Sequence, residues 1–331
     1  MTITDEYFNY TAKWKEKYGE KTIVLMQVGQ FYEVYALKNS AGKLIGSDIE
    51  EFARMNDLLI GTKNYTVRGP IDKITESTEE FKVVITGINI TQLDKYLDNM
   101  DDHNYTYVIY NQDFPGKNST RSLSEIISPG TFFSANTVKQ SNHIMCVWLE
   151  RSRANKILPS QITVGVSCID VFTGKTNMSQ FTKEYNHNPC TYDELERLVA
   201  INKPSECILI TNKDNAYLDD IANYSGMSNI KIHKVILNSH TEMADFAECA
   251  QKQTYQHSVC ERFFPSISAD YLISIFPTHL IAIQSFIFLL DFIYKQNPNL
   301  VHKIVFPVIE NIILLVSSLI FLKPFSIFVP C

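Results

Sequence analysis

The chain has 331 residues, of which 45% are hydrophobic and 20% are charged, the composition of an ordinary globular protein with two or three domains. Its net charge is −6, and residues 1–131 contain 14 lysines and arginines against 19 acidic residues. This balance argues against binding of nucleic acid by bulk electrostatic attraction. Seven cysteines without a C-x-x-C pair, and a first segment without a signal-peptide pattern, predict a soluble intracellular protein that has no structural metal.

The first 135 residues alternate helical and strand-like patterns, which predicts a mixed α/β domain over 1–135. A first helix is expected from Thr4, its N-cap, to Tyr18. Gly29 and Gln30 separate two β-rich runs and fit the turn of a tight hairpin. The further predictions are hairpin strands at 22–28 and 31–36, a helix at 49–60, a loop at 61–80, a strand at 81–85, a helix at 91–100 and a strand at 105–110.

A second domain is predicted over 136–240, where strands come first and then alternate with helices. Thr191 followed by Glu194 has the spacing of a capping box, which predicts a helix start. This order favours a ribonuclease H-like layer architecture. From residue 241 to 311 the pattern is helical. The expected strands are 143–149, 162–171, a run ending at Phe181, 207–211 and 231–237.

An aromatic residue and a carboxylate stand two positions apart directly after the hairpin turn. Side chains alternate along a strand, so Phe31 and Glu33 lie on one face, roughly 6.5–7 Å apart. Taken alone, Phe31 is an ordinary core residue and Glu33 an ordinary solvated one. These two interpretations conflict, because a core position for Phe31 would also turn Glu33 inward, where an unpaired carboxylate is costly.

The segment VGQFYEVY resembles the G-x-F-Y-E motif of the MutS family of DNA mismatch-recognition proteins. The segments ITGINITQLDKYLDNM, SEIISPGTFF and IDVFTGK resemble that family in the same order. The resemblance covers about residues 4–310 and is strongest to the branch known from large DNA viruses and some mitochondria. It implies a mismatch-recognition domain over 1–135, a ribonuclease H-like connector over 136–240 and the start of a helical core or lever region over 241–311.

The resemblance also implies that the chain binds mismatched double-stranded DNA in DNA mismatch repair. Phe31 would enter the minor groove as a wedge and stack on a mispaired base, where unstacking costs least. Glu33 would hydrogen-bond to that base and, near phosphates, penalise well-paired DNA. Gly29 belongs to the same motif and completes the main site.

Three further residues are candidate DNA contacts. Ile85 matches a family position where an apolar side chain lies along the minor groove, although alone it is typical of a core strand. Lys63 and Arg68 lie in the predicted loop before that strand, where they could contact phosphates or simply be solvated.

The full-length family binds ATP and Mg²⁺ and forms homodimers. No G-x-x-x-x-G-K-[ST] phosphate loop occurs in this sequence, so the chain is expected to bind neither cofactor and not to be an enzyme by itself. Its downstream repair partners cannot be inferred from the sequence.

Residues 312–331 contain one charged residue, Lys323, and no acid. The family would continue there with a polar segment, which favours a truncated or frame-shifted reading after Asn311. A membrane anchor over Ile312–Val329 is the competing interpretation, and Lys323-Pro324 within it argues against that.

Two other classes of function remain open. A metal-dependent nuclease could use Asp170 at a strand end with Asp193, Glu194 and Glu196 downstream, but three of these share one helix and converge poorly on a metal. A pure interaction module would show no preference between paired and mispaired DNA.

Overall fold

The computed structural model describes residues 2–68, 80–100, 103–116, 119–132, 141–154, 159–267 and 278–309. These residues form two mixed β-sheets with helices packed on them, so the predicted α/β class is confirmed. No helix in the described ranges is long and apolar enough to cross a membrane. The tail over 312–331, with its two competing interpretations, lies outside the described residues.

The N-terminal region builds the first sheet. Its elements are α1 (Ile3–Tyr18), β1 (Thr22–Val28), β2 (Phe31–Lys38), β3 (Leu44–Ile45), α2 (Ile49–Met55), β4 (Gly61–Arg68), β5 (Glu80–Asn89), α3 (Leu93–Met100), β6 (Thr106–Gln112) and β7 (Arg121–Ile127). The strand order is β4-β5-β2-β1-β6-β7, with the short β3 beside β2. The predicted hairpin of β1 and β2 is therefore central in the sheet, where both of its strands are paired on each side.

Helix α1 begins two residues earlier than the sequence predicts. Thr2, not Thr4, is the N-cap: its hydroxyl accepts from the Asp5 N–H at 3.2 Å, and the Asp5 carboxylate accepts from the Thr2 N–H at 2.8 Å. Thr4 is buried inside the first turn. The apolar side of the helix covers one face of the sheet, where the Tyr7 ring meets the Tyr35 ring at 5.1 Å.

The predicted loop at 61–80 is wrong, because its first part is the edge strand β4. Gly61 pairs with Ile85 and Arg68 pairs with Glu80 in an antiparallel ladder. An edge strand needs few apolar residues, which is why the sequence of β4 lacks a strand signal. The helix predicted at 49–60 ends at Met55, and Asp57, at a φ of +51°, turns the chain toward β4.

The second sheet has six strands in the order β12-β11-β8-β9-β10-β13. Strands β8, β9 and β10 form an antiparallel meander, and β11 and β12 add in parallel beside β8. The elements are β8 (His143–Ser152), β9 (Gln161–Asp170), β10 (Thr176–Glu184), α4 (Asp193–Asn202), β11 (Glu206–Thr211), α5 (Asn215–Tyr224), β12 (Lys231–Ile236), α6 (Glu242–Ala250), α7 (Gln253–Phe263), α8 (Leu280–Gln296), α9 (Pro298–Val301) and β13 (Val308–Ile309). The strands come first and then alternate with helices, which is the order that the sequence predicts.

The predicted capping box at Thr191 is wrong. A 3₁₀ turn over Pro189–Tyr192 precedes α4, and the Thr191 hydroxyl donates to the Asn186 carbonyl instead of capping the helix. Helix α4 has no side-chain cap. The S/T-x-x-E pattern lies at a true helix start, but the 3₁₀ turn before α4 begins the helix and no capping box forms.

After residue 240, helices α6 and α8 contact strands of the second sheet. The assignment of 241–311 to the start of a helical core or lever region stays a prediction. Helix α8 is buried along almost its whole length against β8 and β9. At Gly165 of β9 a Cβ atom would lie 2.3 Å from the backbone of Ile281, so only glycine permits this approach. Burial on nearly all sides explains why α8 is apolar without a polar face.

The two sheets are joined by a continuous apolar core. At the junction the Tyr18 ring contacts the His233 ring edge-on at 5.9 Å, and Lys17 Nζ lies 2.6 Å from a carboxylate oxygen of Glu242. The side chain of Glu206, fully buried in β11, accepts hydrogen bonds from Ser128 Oγ and from the Gly130 N–H at 3.0 Å. The segment after β7 is thus anchored to the second sheet.

Candidate nucleic-acid interface

The hairpin between β1 and β2 ends in a two-residue turn that is held from several sides. Gly29 has a φ of +63°, a conformation that favours glycine. Its N–H donates to Gln112 Oε1 at 3.0 Å, and its carbonyl accepts from Gln27 Nε2 at 3.1 Å. The Ile90 N–H donates to the Gln30 carbonyl at 3.0 Å. The tip is therefore a fixed feature of the sheet.

Phe31 is the first residue of β2, and its ring lies at the open end of the sheet. It pairs in register with Val28 on β1 and with Asn89 on β5. Its side chain is 49% exposed, whereas Tyr32 and Val34 are buried. The interpretation of Phe31 as a core residue is therefore excluded, and a ligand at the sheet edge can reach the ring.

Glu33 lies on the same face as Phe31, one pleat further into the sheet. Its carboxylate Oε2 accepts a hydrogen bond from the Tyr35 hydroxyl and lies 3.6 Å from Lys63 Nζ. The Glu33 side chain is only 15% exposed. Burial, together with the hydrogen bond to the Glu33 carboxylate, raises the pKa of the Tyr35 phenol, so Tyr35 donates its proton to that bond. Glu33 is not the freely solvated strand residue that an isolated glutamate suggests.

Lys63 is on strand β4 and not in a loop. Its ammonium lies 5.1 Å from the centre of the Tyr35 ring as well as beside Glu33, and its side chain is 28% exposed. The structure thus places it against the candidate site, where it offsets the glutamate charge. Arg68 ends β4, and its side chain lies outside the described residues, so its contact with phosphate stays a prediction.

Ile85 faces the same side of the sheet but deeper than Phe31. It pairs with Tyr35 on one side and with Gly61 on the other, and it is half-buried against the core. Next along β5, Gly87 pairs with Glu33, and a Cβ atom there would lie 2.9 Å from the Tyr32 carbonyl oxygen. The glycine of the ITGI segment therefore permits the close approach of β5 to the Tyr32 carbonyl on β2.

A cleft of about 680 Å³ lies beside the hairpin tip, between Gln30 and a loop that carries Phe114. The Phe114 side chain is 50% exposed, nearly the same fraction as Phe31. Gln112, which holds the hairpin turn, also donates to the Gly116 carbonyl at 3.0 Å, so it links the loop to the turn. The sequence analysis missed Phe114, for which the one available signal was a lone aromatic residue in a polar segment.

The carboxylates of the nuclease alternative are not brought together by the described structure. Asp170 Oδ1 accepts from the backbone N–H groups of Asn142 and Phe172, and Oδ2 accepts from the Thr173 hydroxyl at 2.6 Å. Burial alone would raise the pKa of the Asp170 carboxyl, but these hydrogen bonds hold it below its ordinary value. Asp170 thus stabilises its own turn.

The other three acids of that alternative, Asp193, Glu194 and Glu196, follow one another on the first turn of α4, where Glu194 pairs with Arg197. Within the described ranges, no three histidine, cysteine or acidic side chains are grouped so that they could hold a metal ion.

Comparison with known proteins finds relatives that are described as proteins of DNA mismatch repair. No family model matches the chain. It is 26% identical over 232 residues to a protein described as a MutS homologue of DNA mismatch repair from Acanthamoeba polyphaga mimivirus, which covers 70% of the chain. It is 25% identical over 202 residues, or 59% of the chain, to the DNA mismatch repair protein MutS of Methanosarcina barkeri and, over the same length, to that of Methanosarcina acetivorans.

All three of these relatives are described as DNA mismatch repair proteins, and this is the class of protein to which the chain is similar. Within that class, the chain is related to the N-terminal region of the MutS family, so the resemblance of its sequence motifs is confirmed. The match covers 19% of the length of each relative, so the chain spans about a fifth of the curated proteins it matches.

Proposed function

We propose that this chain binds double-stranded DNA and prefers duplexes that contain a mismatch, with Phe31 as a minor-groove wedge and Glu33 beside it. The observation that carries the proposal is the half-exposed Phe31 ring at the tip of a hairpin that Gln112 and Gln27 fix in place. A wedge must be rigid, because a flexible ring would fold away instead of forcing base steps apart. The relationship to proteins of mismatch repair supports the same function.

The physical basis of the preference is the cost of deforming DNA. A ring inserted between base steps partly unstacks them and kinks the duplex, at a cost of about a few kcal/mol per step. That cost is lower where base pairing is already broken, so a wedge favours mismatches without recognising a fixed sequence. The preference for mismatches therefore comes from the cost of deformation and does not require an excess of positive charge.

Nucleotide chemistry belongs to another part of the full-length proteins under this proposal. The chain contains no phosphate-loop motif, so we propose that it binds no ATP and is not an enzyme by itself. Under this proposal, the binding of ATP and Mg²⁺ belongs to the full-length family, whose homodimer would close around the duplex. A nuclease role is not favoured, because both carboxylate oxygens of Asp170 accept hydrogen bonds from the adjacent turn and from Asn142.

The substitution Phe31→Ala tests the proposal. It removes the wedge while leaving the fold intact, because the ring is half-exposed. We expect the ratio of mismatched to matched affinity to fall close to one, since the deleted group contacts base steps and not phosphates. Fluorescence anisotropy with a matched and a G·T duplex of the same length measures the ratio.

Phe114→Ala is the matched control, because it deletes the same, equally exposed side chain from the adjacent loop. We expect it to retain the mismatch ratio even if it weakens binding to both duplexes. Retained discrimination in Phe31→Ala would reject the wedge assignment. Equal loss in both variants would indicate general apolar contact in place of insertion.

The isolated chain should bind DNA weakly and with a shallow dependence on salt. Few cations are available to release counterions from the duplex, since residues 1–131 have five more acids than bases by the difference of 19 and 14. Titration at several salt concentrations measures the slope of log Kd against log salt. A steep slope with tight binding would reveal a basic surface and contradict the proposal that deformation dominates.

A further inference from the structure

We propose that the cleft beside the hairpin tip binds the base of a second unpaired nucleotide when the DNA contains a bulge of two, with Phe114 as the stacking surface. This inference rests on the proposed function, because it requires that Phe31 enters the duplex beside the cleft. The Phe31 ring can stack on one unpaired base, whereas a second extra base has no partner in the duplex and no place on that ring. The chain would thereby bind DNA with small insertions as well as single mismatches.

The cleft belongs to the same fixed edge of the sheet as the hairpin tip. Gln112 joins its two walls, because its N–H donates to Gln27 Oε1 at 2.9 Å and its Nε2 donates to the Gly116 carbonyl at 3.0 Å. The Arg121 guanidinium joins them again, since it donates to the Gln27 carbonyl at 2.8 Å and to the Ser119 carbonyl at 3.2 Å. The walls of the cleft are therefore in place before a ligand arrives.

The cleft lies close enough to the wedge to receive the neighbouring nucleotide. Strand β1 lies between β2 and β6, and the parallel register of β1 and β6, continued to their ends, places Gln112 level with Val28, the partner of Phe31. Neighbouring strands are about 4.8 Å apart, so the backbones of Phe31 and Gln112 lie about 10 Å apart. Phe114 follows Gln112 directly after one residue and lines the cleft.

The lining of the cleft suits a base better than a phosphate. The half-exposed Phe114 ring is an aromatic surface, on which any base can stack. Asp113 also lines the cleft, and hydrogen bonds from Thr120 and Ser122 lower the pKa of its carboxyl, so its negative charge repels phosphate. The guanidinium of Arg121 lines the cleft too, but it donates to backbone carbonyls of the walls.

The size and polarity of the cleft agree with an unpaired base as its occupant. The volume of about 680 Å³ lies within the range of about 300–1,000 Å³ that is typical of small-ligand sites. The Gln30 side chain lines the cleft and has no hydrogen-bond partner within the described ranges. An amide both donates and accepts, so it can bond to an edge of any of the four bases. The cleft should therefore accept an unpaired base of any identity.

The energetics restrict the role of Phe114 to bulges of more than one nucleotide. Extruding an extra nucleotide costs less than extruding a paired one, because no base pair has to open, and stacking on an aromatic side chain offsets the lost stacking. Both bases of a G·T mismatch stay hydrogen-bonded to each other in the duplex. A bulge of one nucleotide supplies only the base that stacks on Phe31. Neither of these duplexes therefore provides an occupant for the cleft.

Four duplexes of one sequence context test the inference: a matched duplex, a G·T mismatch, a bulge of one adenine and a bulge of two adenines. In Phe114→Ala we expect the affinity for the two-adenine bulge to fall about tenfold, as the loss of one base–aromatic stack predicts. The other three affinities should change by a common factor of about two or less. Leu59→Ala is the matched control, because it removes another exposed apolar side chain, just before β4, and should leave the two-adenine bulge no more affected than the rest.

Phe114→Trp gives a readout that a merely structural role would not move. The variant adds an exposed indole at the cleft, whereas the two tryptophans of the chain, Trp14 and Trp148, are buried. A base that stacks on an indole quenches its fluorescence. We expect the emission added by the substitution to fall when the two-adenine bulge binds, and to persist with a bulge of two abasic residues, which has the same backbone but no bases.

The outcomes distinguish this inference from the proposed function. If Phe31→Ala loses the mismatch preference while Phe114→Ala affects all four duplexes alike, the wedge stands and the role of the cleft is overturned. Equal quenching by the adenine and the abasic bulge also overturns it. If the parent shows no mismatch preference, the proposed function itself fails and this inference fails with it.

Discussion

Glu206 and Glu33 are both held by neighbouring cations or donors, but to different extents. Glu206 at the junction of the sheets is fully buried and bonded to His233, Ser128 and the Gly130 N–H, which occupy both of its oxygens. Within the described ranges, Glu33 at the hairpin has partners on one oxygen only. The protein thus provides partners for both carboxylate oxygens of Glu206 but, among the described contacts, for one oxygen of Glu33.

The difference separates a structural carboxylate from one that can bind a ligand. Each buried acceptor requires a donor, and when the protein supplies all of them none is left to recognise anything else. The partial coordination of Glu33, next to the exposed Phe31 ring, is consistent with the recognition role that we propose for this pair. Equal losses of unfolding free energy on substitution of the two glutamates would contradict this distinction.

Substitution of the saturated glutamate should have the largest effect. Glu206→Ala leaves His233 without its partner and Ser128 and Gly130 without their acceptor, and we expect a loss of about 3–5 kcal/mol in the free energy of unfolding. Urea denaturation followed by circular dichroism measures it. Glu33→Ala is the control, for which we expect a smaller loss of about 1–2 kcal/mol, because it leaves the Tyr35 hydroxyl without its acceptor. Similar losses in both variants would contradict the comparison.

Acid should destabilise the junction between the two sheets, where Glu206 is buried. Burial alone would raise the pKa of the Glu206 carboxyl, but the hydrogen bond and charge of His233, with Ser128 and Lys231, hold it below the ordinary 4.5. A depressed pKa in the folded state contributes stability above about pH 4.5, and this contribution is lost as the pH falls through the lower, folded value.

We therefore expect the parent to lose stability below pH 4.5 more steeply than Glu206→Gln, which has no titrating group there. Thermal denaturation between pH 3 and 7 compares the two. Parallel curves over that range would mean that Glu206 does not supply the dependence, and that Asp170, whose pKa is also depressed, is the next candidate.

The sequence predicted the parts of the site that depend on alternation. Period two along β2 placed Phe31 and Glu33 on one face, and the Gly29-Gln30 turn located them at a hairpin tip. The β4 strand could not be predicted, because an edge strand with one neighbour and exposed faces carries no apolar pattern. Lys63 was therefore assigned to a loop, and its contact with Glu33 was missed.

Contacts across strands and between sheets were also beyond local patterns. Period two places Tyr35 on the same face as Glu33 but does not predict their hydrogen bond. Gln112 reaches the hairpin turn from a strand that is 83 residues away. The Glu206 network assembles residues from four segments, namely Ser128, Glu206, His233 and Gln296. The SPGT segment was notable in the sequence, but its physical reason, a backbone donor for a buried carboxylate, became visible only in three dimensions.

The smallest change in the molecule gives the sharpest test of the hairpin glutamate. Glu33→Gln keeps the side-chain shape and an acceptor for the Tyr35 hydroxyl, so we expect a stability change of less than about 1 kcal/mol. It removes the charge that Lys63 offsets at 3.6 Å, which leaves that ammonium for phosphates. We expect binding to matched DNA to strengthen more than binding to mismatched DNA, so affinity rises while specificity falls.

Salt distinguishes this effect from simple loss of an exposed charge. Electrostatic gains shrink for both duplexes as salt rises, whereas a lost discrimination persists. Affinities for a matched and a G·T duplex, measured at a low and a high salt concentration, give the matched-to-mismatched ratio under each condition. Glu80→Gln removes an exposed acid from β5 and should shift both affinities by a small common factor. If Glu33→Gln behaves like Glu80→Gln at both salt concentrations, Glu33 does not contact the base, and recognition depends on the Phe31 ring alone.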